Sequence, residues 1–118
     1  LQDANAKALS LNFIFCTDAY LLELNRKYLN HDYYTDIITF PYRQYPQPLE
    51  ADIYISIDRV NENALQRGIS FQDELLRVII HGVLHLLGFD DHTPVEKARM
   101  REMEDQCIEL YKALFDRG

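Results

Sequence analysis

The chain has 118 residues, 47% of them apolar, which suffices for one hydrophobic core and not for two, so residues 1–118 read as a single domain. The formal charge of −7 argues against an indiscriminate polyanion binder, because nonspecific nucleic-acid affinity rests on Lys and Arg neutralising phosphates. Its basic residues are scattered, with short clusters only at Arg26-Lys27 and at Lys97, Arg99 and Arg101, so any RNA contact needs a local basic patch.

The longest apolar runs, such as Val78-Ile79-Ile80, fall far short of the roughly 20 residues that span a bilayer, and no membrane partner is expected. Cys16 and Cys107 form no CxxC pair and read as reduced thiols filling the core, a pattern that favours the cytoplasm. Leu1 is not a Met, which leaves a start further upstream open.

In chain order, residues 11–16 (LNFIFC) are rich in aromatic and β-branched side chains and predict a strand. Thr17 or Asp18 caps a helix over 18–29, in which Leu21, Leu22, Leu24 and Tyr28 recur at helical spacing. Residues 37–40 and 53–57 (IYISI) predict two more strands, separated by an extended loop over 41–48 (PYRQYPQP). Asp58 caps a short helix that stops before Gly68.

Ser70, with Asp73 three residues on, opens a helix over 71–87 that Gly88 terminates. Apolar residues surround the whole circumference of its second half, as expected of a helix at the centre of a fold. Thr93-Pro94-Val95-Glu96 starts a last helix running from Pro94 towards Phe115, whose Met100, Met103, Cys107, Leu110, Tyr111 and Leu114 are spaced to pack on the core. The fold class is α+β, a small mixed β-sheet packed with helices around a buried central helix.

That central helix carries His81 and His85. Residues four apart on a helix point the same way, so the two imidazoles can meet at one divalent transition metal, zinc above all. In the zincin pattern HExxH the Glu beside the first His is the general base, but Gly82 stands there, so ordinary peptidase chemistry lacks its base. Gly88 falls where the longer HExxHxxGxxH pattern has its Gly, and the third-ligand position is Asp91, with His92 next to it.

Either Asp91 or His92 can complete the set, since zinc accepts carboxylate and imidazole alike. The competing duty for a lone His on an apolar face is that of a hydrogen-bonded core residue; two in register, followed by a further donor, point to a metal. Taken singly, Asp32, Asp36 and Asp52 read as turn and cap residues and His31 as a solvated loop residue. The tyrosines at 33, 34, 42 and 45 read as packing under a loop, with base stacking as the alternative.

The segment HGVLHLLGFD, from His81 to Asp90, resembles the signature of the YbeY family of bacterial endoribonucleases. Three other stretches agree: Leu24-Asn25 and Tyr28 with Asp32, Thr35-Asp36-Ile37-Ile38 and Phe40-Pro41; Asp52-Ile53-Tyr54-Ile55-Ser56; and Glu74 with Arg77. This chain departs from the family pattern at Asp91, where most relatives carry a third His, at Leu29, where many carry an Arg thought to hold RNA or assist cleavage, and at Ala51 in place of a Gly.

The resemblance implies a single-strand-specific, metal-dependent endoribonuclease that matures the 3′ end of small-subunit ribosomal RNA and takes part in ribosome quality control. Its partners would be ribosomal RNA or the small subunit, together with ribosome-associated proteins. With Gly82 in place of the zincin Glu, proton transfer falls to Asp32, Asp36 or His31 if their loop folds over the metal. Two rival readings stay open: a metallohydrolase of another class, and a ribosome-assembly factor whose metal is structural.

Overall fold

The computed structural model describes residues 8–43 and 47–115, so Tyr45 lies outside the described residues. The elements follow in the order β1 (Ala8–Cys16), α1 (Asp18–Leu29), β2 (Ile37–Arg43), β3 (Leu49–Ser56), α2 (Ile57–Arg67), α3 (Phe71–Leu86) and α4 (Pro94–Phe115). The strands form one mixed sheet in the order β1-β3-β2, with β1 parallel and β2 antiparallel to β3.

Alternation along β3 creates the core, because successive side chains point to opposite faces of a sheet. Leu49, Ala51, Ile53 and Ile55 are exposed by no more than 1% and join Val60 of α2 with Val78 and Leu86 of α3. On the opposite face, the Tyr54 ring meets Tyr20 of α1 and Phe40 of β2 at 6.2 and 5.7 Å between centroids. Thus α2 and α3 cover one face of the sheet and α1 the other, while α3 touches α2, β2 and α4.

Four local expectations are corrected. The strands are longer than expected: β2 continues into the expected 41–48 loop, through Pro41 to Arg43, and β3 begins at Leu49 rather than Ile53. Pro41 is tolerated because β2 is an edge strand, where a missing N–H donor costs little, and the pairing register shifts just beyond it. The cap of α2 is Ser56, whose Oγ accepts from the Arg59 N–H at 3.1 Å; Asp58 instead accepts from the Asp18 N–H at 3.0 Å.

The second half of α3 is only partly enclosed, since Ile79, Ile80 and Val83 are half-buried: a three-stranded sheet and two helices do not surround it. Lastly, Cys107, Leu110, Tyr111 and Leu114 are exposed, and Cys16 is half-buried. With its 22 residues α4 is about 33 Å long and runs past the core. Its described buried positions, Met100 and Glu104, lie in its first half.

Gly82 decides how closely α3 approaches the sheet. A Cβ there would lie 2.7 Å from Cδ1 of Ile37, the first residue of β2. Any side chain there displaces the end of Ile37, so the close packing of α3 on the start of β2 favours glycine at this position.

Candidate metal centre

Ser70 Oγ accepts from the Asp73 N–H at 3.0 Å and starts α3, which places His81 and His85 one turn apart. The helix ends where Gly88 takes φ +101°, and the Phe89 N–H returns to the Leu84 carbonyl at 3.1 Å. This reversal carries Asp91 back over the last turn of the helix. Its two carboxylate oxygens lie 3.5 Å from His81 Nε2 and 3.6 Å from His85 Nε2, and the two Nε2 atoms are 3.0 Å apart.

Two ligands about 2.05 Å from one zinc at a tetrahedral angle are roughly 3.3 Å apart. The two Nε2 atoms at 3.0 Å, each with one Asp91 oxygen at 3.5 or 3.6 Å, lie close to that span, so two imidazoles and a carboxylate can converge on a single divalent ion. All three side chains are half-buried, shielded enough to strengthen the interaction and open enough to admit a ligand.

One participant in this arrangement escaped the sequence reading. His81 Nδ1 lies 2.6 Å from Glu104 Oε2, and Arg77 donates to Glu104 Oε1 at 3.0 Å and to Asp105 at 2.7 Å. Burial pushes the Glu104 carboxyl up, but the hydrogen bonds from His81 and Arg77 outweigh it and hold its pKa below the usual carboxylate range. Glu104 is therefore an acceptor, Nδ1 carries the proton, and Nε2 presents its lone pair to the centre. The hydrogen bond to Glu104 also raises the pKa of His81, against the opposing effect of burial.

A carboxylate behind a ligating imidazole sets its tautomer and ring orientation, and losing one typically weakens metal affinity 10- to 100-fold. The expected result for Glu104→Gln is weaker zinc binding by about that factor with an unchanged circular dichroism spectrum, read by competition with a chromogenic chelator. Unaltered affinity would reduce Glu104 to a packing role. The available signal in the sequence was an acid four residues after Met100, on the stripe that faces the core.

The remaining residues singled out in the sequence are distributed unequally. Asp36 lines the same cleft as His81, Asp91 and Glu104. The chain reaches it through a turn that Asn25 clips, its Nδ2 donating to the Tyr33 carbonyl at 2.9 Å. Burial raises the Asp36 pKa, and the nearby His81 charge offsets this only in part. Asp32 is exposed and ion-paired with Arg26, and His31 stacks on Tyr33 with centroids 5.1 Å apart; neither lines the cleft.

His92 is exposed, and its backbone N–H is bound by Glu96 at 3.1 Å; the donor atoms that converge belong to His81, His85 and Asp91. Asp52 accepts from Tyr42 and Asn12 at 2.9 and 3.0 Å, and Leu29 is exposed at the end of α1.

A mixed sheet backed by a helix with two candidate ligands, followed by a tight turn that returns a third, defines an α+β domain of the kind that can hold a metal ion on one helix. The family model described as Endoribonuclease YbeY matches residues 1–112. This chain belongs to the YbeY family.

Among its curated relatives, Endoribonuclease YbeY of Cytophaga hutchinsonii is 53% identical over 104 residues, 88% of this chain and 73% of that protein. The Bacteroides thetaiotaomicron protein of the same name is 51% identical over 98 residues, 83% of this chain and 71% of its own. The solution structure of TM1509 from Thermotoga maritima superposes with a TM-score of 0.66 at 31% identity, covering 90% of this chain and 70% of that one.

Proposed function

We propose that this chain is a metal-dependent endoribonuclease that hydrolyses single-stranded RNA, with His81, His85 and Asp91 as the ligands of one zinc ion. Its proposed substrate is precursor ribosomal RNA at the small-subunit 3′ end, handled on or near the small subunit in the cytoplasm. The observation that carries the reading is the convergence of the three donor atoms, with His81 and Asp91 on the wall of a cleft, in a chain of this family. Among the described residues no helix is long and apolar enough to cross a membrane.

A divalent ion held there supplies Lewis-acid stabilisation of charge developing on a phosphodiester oxygen. Three protein ligands leave a coordination position free, the pattern of catalytic sites, whereas structural zinc sites are closed by four. The protein's share of the chemistry is positional. Glu104 keeps the His81 lone pair directed at the centre, and the Asp36 carboxylate, which lines the same cleft, takes the proton from the attacking water as the P–O bond to the leaving oxygen breaks and that oxygen takes up a proton from solvent.

Gly82 removes the base that a zincin peptidase needs. Leu29, which carries no charge where the resemblance implies an Arg in many relatives, is the observation favouring an assembly factor with a structural metal. The test is cleavage of a single-stranded oligoribonucleotide by zinc-loaded protein, its loss on adding EDTA and its recovery with zinc. Intact RNA under every divalent ion tried, together with co-sedimentation of the protein with small subunits, would favour the assembly factor.

A further inference from the structure

Among the described residues, most basic side chains are already engaged: Arg26, Arg43, Arg59, Arg67, Arg77 and Lys112 pair with carboxylates, and Lys27 lies over the Tyr28 ring. Lys97, Arg99 and Arg101 are different. All three are exposed on the first turns of α4, and none makes an ion pair or side-chain hydrogen bond with another of the described residues.

Lys97 and Arg101, one turn apart, face the same way and line the cleft of about 270 Å³ that opens on His81 and Asp91, whereas Arg99 does not. The other two cations of that cleft already neutralise carboxylates. Arg67 is held by both oxygens of the buried Glu74 at 2.8 Å, and Arg77 by Glu104 and Asp105.

We infer that Lys97 and Arg101 form a phosphate-holding edge of the metal cleft, gripping the backbone of single-stranded RNA so that the bond to be cut lies at His81 and Asp91. The inference rests on the endoribonuclease reading above. In a chain of formal charge −7, two free cations on one wall of the candidate site supply the local basic patch that the overall composition lacks. Their Cα atoms are separated by about 6 Å along the helix axis, so two flexible side chains can follow neighbouring phosphates.

Asp36, the residue before β2, lines the same cleft as His81 of α3 and the two cations of α4, so a strand held along α4 lies in the cleft that both His81 and the carboxylate reach. Contacts of this kind position the backbone and carry no base preference.

The experiment measures binding of zinc-loaded protein to a fluorescent single-stranded 2′-O-methyl oligouridine across a salt series, with metal content and circular dichroism recorded for each variant. Each phosphate contact on a single strand contributes about 0.7 to the slope of log K against log salt. The Lys97→Ala/Arg101→Ala double variant is expected to show a slope shallower by about 1.4 and affinity about 25-fold weaker near 0.1 M salt, with metal content unchanged.

Lys97→Arg/Arg101→Lys should retain both slope and affinity, and Arg99→Ala, which also removes one charge from α4, should leave the slope alone. A double variant with wild-type slope, or an Arg99→Ala loss matching that of a single cleft substitution, overturns the inference while RNA cleavage by wild type preserves the endoribonuclease reading. A wild type that neither binds nor cleaves single-stranded RNA overturns both.

Discussion

His81→Ala is expected to lower bound metal from about one ion per chain to background and to abolish RNA cleavage. Removing one of the three proposed ligands leaves His85 and Asp91 without the imidazole that Glu104 orients. The same substitution strands Glu104, which is 5% exposed, beside Arg77 alone. The thermal stability of the apo-protein is therefore measured alongside, to separate loss of metal from loss of fold. Asp91→Ala should behave like His81→Ala, and His92→Ala should retain full metal content.

The discriminating comparison is between positions 91 and 92, read by elemental analysis of protein purified without chelator or a metal-affinity tag. Retention by Asp91→Ala and loss by His92→Ala would transfer the third ligand to the imidazole. Retention by His81→Ala would remove the centre altogether and leave His81 as a hydrogen-bonded partner of Glu104.

Asp36→Asn is expected to keep its metal and lose cleavage rate by about 10²- to 10⁴-fold, the usual contribution of a positioned general base. The amide preserves size and removes the capacity to take a proton. A carboxyl whose pKa burial has raised is a better base once ionised, and it works only above that pKa, so the wild-type rate should fall as pH drops through it. Asp32→Asn, at an exposed position paired with Arg26, should leave the rate unchanged. An Asp36→Asn protein of full activity would move the base elsewhere; one that also lost its metal would make Asp36 a part of the ion's site.

Which parts of this architecture could be read in advance depends on how far apart in the chain the interacting groups lie. The Thr17 and Ser70 caps, the Gly88 stop and the pairing of His81 with His85 all act within about one helical turn, and local periodicity exposes them. The strand ends were harder to read. Pro41 marks a loop in a central strand and is harmless at an edge, and only the sheet order puts β2 at the edge. The apolar stripe of α4 misled for a related reason: spacing shows which side chains share a face, but not where the core beneath that face ends.

The sequence by itself determined the α+β class, the central helix, the two histidines and the family resemblance, because each is written in short-range spacing or contiguous motif. The tertiary structure alone decided the rest of the centre. It set Glu104 behind His81 across 23 positions, turned Asp91 rather than His92 towards the two imidazoles, and brought Asp36 rather than Asp32 to the cleft. It also gathered Lys97 and Arg101 beside that cleft. These outcomes depend on the packing of α3 against β2 over Gly82 and on how α4 crosses α3, and such contacts between distant segments leave no period in the chain.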